Sequence, residues 1–68
     1  MENKFKENLK YLRESNHLGQ VELAAKIGVS KGVISLWENG LREPTMSSLI
    51  TISQFFGVSI DFLVGLEE

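Results

Sequence analysis

The stretch that decides the fold runs from Gln20 to Gly40 and reads QVELAAKIGVSKGVISLWENG. Its apolar residues recur at helical spacing on either side of a break at Gly28. A glycine suits the positive φ that a tight turn requires, and Ser30 is placed to cap the helix that follows. The pattern predicts two short helices, over about 20–27 and 31–38, joined by a turn of roughly three or four residues.

Helical spacing also governs the sequence on both sides of this stretch. Before it, apolar residues at i, i+4 and i+7 predict a first helix over about 4–14. These residues are Phe5, Leu9 and Leu12. After it, the same spacing predicts a fourth helix over about 46–56 and a fifth over about 60–64. Because no strand-like alternation occurs, we expect an all-α fold of five short helices in one domain, 1–68.

Composition argues against several classes of protein. Sixty-eight residues fill one domain and leave no room for a second hydrophobic core. With no cysteine and one histidine, we expect no disulfide, no Cys/His metal site and no cofactor. No apolar run is long enough to span a membrane, and residues 1–6 lack the apolar core of an export signal, which favours the cytoplasm. The serines lie at predicted caps or core positions rather than beside a base, so we expect neither an enzyme nor a small-molecule substrate.

The charges are divided unevenly along the chain. Residues 1–42 hold all seven Lys and Arg against five Glu, for a net charge of +2, whereas residues 43–68 hold four acids and no base, for −4. The total of −2 argues against a nucleic-acid binder, because basic patches supply most non-specific DNA affinity. The distribution, however, suits a molecule with one DNA-facing side. Lys4, Lys6 and Lys10 form either a solvated helix face or a contact with flanking phosphates.

Two short helices across a tight turn present the second helix outward, where it fits the major groove of B-DNA, about 12 Å wide. On this stretch and its flanks the chain resembles the phage-repressor-like helix-turn-helix domains of lambda repressor, Cro and the Xre regulators. The resemblance extends from Leu9 to Leu63 and rests on Leu12-Arg13, Gln20, Leu23-Ala24, Gly28-Val29-Ser30, Ile34-Ser35, Trp37-Glu38-Asn39-Gly40, Pro44 and Gly57-Val58-Ser59. It implies a compact five-helix fold that binds duplex DNA as a homodimer on a pseudo-palindromic operator.

The resemblance also implies roles for individual residues. The outward positions of the third helix would read bases, with Val33 added because its methyl groups suit thymine; they are Lys31, Gly32, Val33, Ser35 and Leu36. A second set would hold backbone phosphates and fix the register: Gln20, Ser30, Asn39 and Arg42. Arg13 and Glu38 match a structural ion pair that ties the first helix to the end of the third.

Gly32 and Leu36 depart from the pattern of the family. Gly32 gives the third helix no side chain where a base reader usually lies, and Leu36 stands at a position that is commonly polar or basic. On one interpretation Gly32 lets the helix lie close to the bases, while Leu36 and Val33 touch thymine methyl groups. On the other, Leu36 is a tolerated surface residue or belongs to a protein contact.

The C-terminal helices carry more apolar surface than one small core should absorb. The residues concerned are Phe55, Ile60, Phe62 and Val64. Exposed apolar patches usually mark interfaces, so these residues predict a two-fold homodimer that sets two third helices about 34 Å apart on one DNA face. The alternative is that some of the rings fold back over the turn between the fourth and fifth helices.

The sequence therefore favours a DNA-binding transcriptional regulator, of which a repressor is the leading form. Control would come through its concentration, degradation or a protein regulator. The alternative function is a protein-binding module on the same fold, such as an antitoxin or an antirepressor. A third interpretation, that the chain is the N-terminal domain of a longer regulator, fits equally well. The operator, the genes regulated, the host and the choice between repression and activation are not encoded in any pattern of the sequence.

Overall fold

The computed structural model describes residues 3–66, which form five helices and no strand. The helices are α1 (Phe5–Ser15), α2 (Gln20–Ile27), α3 (Lys31–Glu38), α4 (Met46–Phe56) and α5 (Ile60–Val64). This arrangement confirms the all-α fold class. Within the described residues no helix is long and apolar enough to cross a membrane.

Helix α1 begins and ends one residue later than expected, for reasons visible at its two ends. The side-chain oxygen of Asn3 accepts a hydrogen bond from the backbone amide of Phe5, at 3.0 Å, and so satisfies the first amide of the helix. At the other end the side-chain amide of Asn16 donates to the carbonyl oxygen of Leu12, at 2.7 Å. Asparagines just outside the helix, rather than the charged residues near its ends, therefore set the limits of α1.

Side-chain caps and left-handed glycines delimit the later helices. Ser30, Thr45 and Ser59 each accept a hydrogen bond from the backbone amide three residues on, at distances of 3.2, 3.1 and 3.0 Å. Gly28 and Gly57 end α2 and α4 with φ values of 77° and 69°, a conformation that disfavours residues with a side chain. The turn between α2 and α3 is thus fixed by a glycine at its start and a serine at its end.

The core lies at the centre of the five helices and consists wholly of apolar side chains. Its buried members are Phe5, Leu9, Leu12, Leu23, Ala24, Ile34, Trp37, Ile52 and Leu63. The rings of Phe5 and Trp37 meet edge to face with their centroids 6.0 Å apart, which joins α1 to α3. Because Ile34 and Trp37 hold one side of α3 in this core, the opposite side of α3 faces outward.

Candidate nucleic-acid interface

Helix α3 has an inward face and an outward face of different character. Ile34 and Trp37 are buried, whereas Lys31 and Gly32 are exposed. At 3.6 residues per turn, Gly32 lies almost directly opposite the buried pair. The outward face is therefore centred on the one residue of the helix that has no side chain.

Among the residues that the structure describes, nothing requires a glycine at position 32. Its φ lies outside the left-handed region, unlike that of Gly28, and a Cβ built there would meet only the Ser30 hydroxyl, at 3.8 Å. That distance is an ordinary van der Waals contact. Gly32 is the second residue of α3, where glycine costs at most the ~0.5–1 kcal/mol relative to alanine that it costs in a helix interior, and the described structure gains nothing in return.

The two apolar residues that flank this face are held differently. Val33 is half-buried and packs against the core, so part of its side chain is committed to the fold. Leu36 is also half-buried, but among the described residues it lies outside the core cluster and the residues packed against it. Leu36 is four residues from Gly32 and shares its face. The sequence predicts both Val33 and Leu36 as contacts for thymine methyl groups, but in the structure only Val33 is packed against the core.

A charged network joins three helices behind the outward face. The guanidinium of Arg13 donates two hydrogen bonds to the carboxylate of Glu38, at 2.7 and 3.0 Å, and a third to the carbonyl oxygen of Leu18, at 2.9 Å. The side chains of Arg13 and Glu38 are only 11% and 5% exposed, so this ion pair is largely shielded from water. The hydrogen bond to Glu38 raises the pKa of Arg13 against the opposing effect of burial. The pair connects α1 to the end of α3.

The predicted phosphate residues fall into two groups in the structure. The side-chain amide of Gln20 donates to Glu38 at 3.1 Å, and that of Asn39 donates to the carbonyl oxygen of Ser35 at 2.9 Å, so both are partly engaged within the protein. Ser30 accepts from a backbone amide and keeps its hydroxyl hydrogen as a donor. Arg42 is exposed on the loop after α3. The end of α3 is therefore bordered by a cation whose side chain reaches solvent.

Lys6 lies nearer to this loop than its position on α1 suggests. Its side chain crosses Gly40, where the Lys6 Cδ atom lies 3.1 Å from the place that a Cβ would take. Lys6 and Arg42 line the same cleft between α1 and the loop. Of the two interpretations offered for the lysines of α1, this placement favours phosphate contact for Lys6. The cleft also contains Glu7 and Glu43, which lower its positive charge.

The apolar residues of α4 and α5 are only partly available for an interface. Phe55 is 39% exposed and meets Phe56 edge to face, with centroids 4.9 Å apart. Ile60 and Val64 are half-buried. Phe62 packs against the core. Helix α5 is tied to α1 by the side-chain amide of Asn8, which donates to the carbonyl oxygen of Phe62 at 2.8 Å.

Besides Phe55, six large apolar residues are exposed among those that the structure describes, and the sequence analysis missed them: Tyr11, Val21, Leu41, Met46, Ile50 and Leu66. Ile50 on α4 is 42% exposed, and Leu41 and Met46, on either side of the loop between α3 and α4, are 75% and 68% exposed. The helical spacing of Met46 from Leu49 predicts that Met46 lies on the buried face of α4. That prediction is wrong, since Met46 is the first residue of α4 and projects beyond the core. Helical spacing alone does not tell whether such a residue is buried or exposed. That depends on how the neighbouring helices are arranged around it.

Comparison with known proteins assigns this arrangement to a family. A helix-turn-helix family model matches residues 9–63, which is most of the chain. The chain belongs to this helix-turn-helix family. The chain is 47% identical over 64 residues to the HTH-type transcriptional activator BcrR of Enterococcus faecalis, and the match covers 94% of this chain and 31% of BcrR. It is 41% identical over 63 residues to the HTH-type regulator MJ0272 of Methanocaldococcus jannaschii, covering 93% of this chain and 96% of that protein.

Solved structures confirm the resemblance to phage repressors. The P22 c2 repressor in complex with a synthetic operator superposes with a TM-score of 0.83 at 30% identity, over 88% of this chain and 91% of that one. Similar domains also occur in an antitoxin and in an enzyme. The antitoxin PezA of Streptococcus pneumoniae is 36% identical over 61 residues, and this chain covers 39% of it. Hydroxypropylphosphonic acid epoxidase from S. wedmorenis matches with a TM-score of 0.81 at 33% identity, over 91% of this chain and 33% of that one.

Proposed function

We propose that this chain binds duplex DNA in a sequence-specific manner and acts as a transcriptional regulator. The observation that carries the proposal is the outward face of α3, which stands clear of the core while Ile34 and Trp37 anchor the opposite side. A helix held in this way can enter the major groove while the helix before it crosses the backbone. The similarity to a repressor solved in complex with its operator supports the same use of the fold.

The base-reading residues follow from which side chains lie on that face. Lys31, Ser35 and Leu36 flank Gly32 and would meet base edges, whereas Val33 would contribute only the part of its side chain that the core leaves exposed. Lys31 suits guanine, whose major-groove edge presents two acceptors. The outward face thus offers one cation, one hydroxyl and one apolar group to the groove.

The phosphate-holding residues would border this face on two sides. Ser30 and Gln20 lie near the starts of α3 and α2, and Asn39 and Arg42 lie beyond the end of α3. Arg42 can contact a phosphate directly because its side chain is exposed. Gln20 would reach a phosphate with the amide hydrogen that Glu38 does not take. These contacts would fix the register of the domain without reading sequence.

The regulator would bind as a homodimer through the apolar residues of α4 and α5. Phe55, Ile60 and Val64 keep exposed surface there, and Phe62 would add the part of its ring that the core does not cover. A two-fold dimer would present two copies of α3 to successive major grooves, which calls for a pseudo-palindromic operator. Because the net charge of the chain is −2, non-specific affinity should be low and tight binding should depend on the dimer.

Repression in the cytoplasm is the regulatory role that we favour. Occupation of an operator that overlaps a promoter is enough to block transcription, so a DNA-binding domain can repress without a second activity. Relatives include both an activator and a phage repressor, and the chain covers only 31% of the activator BcrR. A reporter gene behind the selected operator distinguishes the two roles, since a repressor lowers its expression and an activator raises it.

Selection from a random duplex DNA pool at about physiological salt tests the proposal. We expect enrichment of a pseudo-palindrome whose half-sites lie about 10 base pairs apart, followed by a titration showing two protomers per site. In a repeated selection Lys31→Ala should alter the enriched motif. Lys26→Ala is its matched control, because each variant removes one exposed positive charge from one of two neighbouring helices. Failure to enrich any sequence, with only salt-sensitive binding, would overturn the proposed function.

A protein-binding module on the same fold is the second candidate. The similarity to the antitoxin PezA and the exposed apolar residues Leu41 and Met46 favour it, as does the net negative charge. In this case the selection would yield no motif. The substitution Leu41→Ser would then reduce binding to a protein partner, whereas in a DNA regulator it would leave the selected motif unchanged.

A further inference from the structure

We propose that Gly32 and Leu36 form a contact for the C5-methyl group of thymine, in which the missing side chain at position 32 lets α3 lie unusually close to the base pairs. This inference rests on the proposed function, because it describes how the same face of α3 recognises its operator. It goes further by naming the chemical group that is read. It also explains why a glycine stands at the centre of an exposed helix face.

The first step is the absence of an internal reason for the glycine. A Cβ at position 32 has only the Ser30 hydroxyl within 4 Å, at 3.8 Å, and φ there does not require glycine. Elsewhere in the chain Gly28 and Gly57 have φ values of 77° and 69°, so their identity follows from the backbone. Gly32 differs from them in its φ, so neither its backbone nor the described side chains around it require a glycine, and a partner outside the protein is left as the object that a side chain there would meet.

The second step is the placement of Leu36 one turn further along the same face. Residues four apart on a helix have side chains about 5–6 Å apart, so Leu36 borders the gap that Gly32 leaves. Leu36 is half-buried yet lies outside the core cluster of the described residues, which leaves part of its side chain facing the same way as the gap. Helical spacing therefore places an apolar side chain beside the position that Gly32 leaves open.

The third step identifies what such an apolar side chain contacts in a major groove. The only apolar group that B-DNA presents there is the C5-methyl of thymine, and it distinguishes an A·T pair from its reverse and from both G·C pairs. Ser35 lies on the other side of Gly32 from Leu36, where its hydroxyl oxygen accepts a hydrogen bond from the side-chain amide of Asn39 at 3.3 Å and can still donate its hydrogen to a base edge. A methyl group on the Leu36 side therefore meets carbon rather than an unpaired polar atom.

Replacement of thymine by deoxyuridine in the selected duplex tests this contact, because it removes the methyl group and keeps base pairing. We expect uridine at one thymine of a single half-site to weaken binding about fourfold, the fold-change that corresponds to one buried methyl group. The variant Leu36→Ala should bind the thymine duplex more weakly and lose most of its sensitivity to that uridine. A double-mutant cycle between protein and DNA measures this coupling directly.

The variant Gly32→Ala tests the close approach. We expect its melting temperature to rise by roughly 4 °C, because alanine is the better helix former, while its affinity for the selected duplex falls about tenfold. The control is Ser15→Ala, an exposed position in the last turn of α1, which should affect stability slightly and DNA affinity not at all. Opposite changes in stability and affinity in a single variant cannot arise from damage to the fold.

The outcomes separate this inference from the proposed function. If the chain selects no sequence, the proposed function fails. If it selects a motif and Lys31→Ala alters that motif, but every thymine tolerates uridine and Gly32→Ala binds as tightly as the parent chain, the proposed function stands and the thymine contact is refuted.

Discussion

The α2–α3 half of the molecule and the α4–α5 half use their surfaces in opposite ways. The outward face of α3 is exposed around a glycine and is bordered by cations, with a shielded network of Arg13, Glu38 and Gln20 behind it. The α4–α5 half has no basic residue, and its surface carries partly exposed apolar side chains such as Phe55 and Ile50. In the proposed complex the first half would meet the DNA polyanion, and the second would meet apolar surface of a partner protomer.

This difference shows how a chain with a net charge of −2 can bind DNA. The total charge averages over two surfaces, whereas binding depends on the charge of the one that makes contact. Among the described residues after position 42, Asp61 lies on α5, in the half that would face away from the duplex, whereas Glu43 lies beside Arg42 in the cleft. The four predictions that follow test whether the two halves act separately, in order of decreasing expected effect.

The substitution Arg13→Ala should have the largest effect. It leaves the carboxylate of Glu38, which is only 5% exposed, without its cation, and breaking such a pair costs about 3 kcal/mol of unfolding free energy. Urea denaturation measures the change. The exposed Lys10→Ala on the same helix is the control and should stay within about 0.5 kcal/mol of the parent chain. A loss of less than about 1 kcal/mol for Arg13→Ala would show that the network does not hold the two helices together.

The substitution Phe55→Ser should weaken the homodimer and leave the fold intact. The change occurs twice across a two-fold interface, and loss of the apolar contact on both sides should cost about 2 kcal/mol, or roughly a thirtyfold rise in the dimer dissociation constant. Sedimentation equilibrium provides the measurement. Tyr11→Ser on α1 removes another exposed aromatic residue and should leave dimerisation unchanged. Equal behaviour of the two variants would place the interface outside the α4–α5 half.

The substitution Lys31→Ala should affect DNA recognition alone. Loss of one base contact should weaken binding by about 1.5 kcal/mol and relax the preference at one position of each half-site. A repeated selection with the variant shows the altered position. The oligomeric state should not change, because Lys31 lies on α3 and is exposed there. Uniform weakening over all sequences would reassign Lys31 to a phosphate.

The substitution Arg42→Ala should have the smallest effect. A lost phosphate contact should lower the affinity for every duplex alike and reduce the slope of log affinity against log salt by about one unit. Titrations at several salt concentrations measure this slope for the selected duplex and for a scrambled one. A variant that changes the selected motif but keeps the slope would move Arg42 into the base-reading group.

The fold was largely predictable because its signals are local. Caps such as Ser30 and left-handed glycines such as Gly28 fix where helices begin and end, and helical spacing identifies which face of each helix is buried. Met46 was misassigned because the first residue of a helix satisfies the spacing yet projects past the core. Spacing along one helix contains no information about where the neighbouring helix stops.

The site was only partly predictable because its details depend on contacts between helices. The sequence predicts Val33 and Leu36 together as apolar readers, but in the structure Val33 packs against the core and Leu36 lies outside the core cluster of the described residues. The engagement of Gln20 with Glu38 joins residues 18 positions apart, and nothing in their local sequence announces it. The lack of any internal requirement for glycine at position 32 was likewise visible only once its surroundings were known.

The central claim is that the outward face of α3 enters the major groove, and amide chemical shifts test it most directly. The resonances of the isotope-labelled chain would be followed while the selected duplex, or a scrambled duplex of equal length, is added. We predict that residues 30–36 and Arg42 show large changes with the selected duplex and much smaller changes with the scrambled one. A tight, specific complex in which the amides of residues 31–36 do not move would contradict the account.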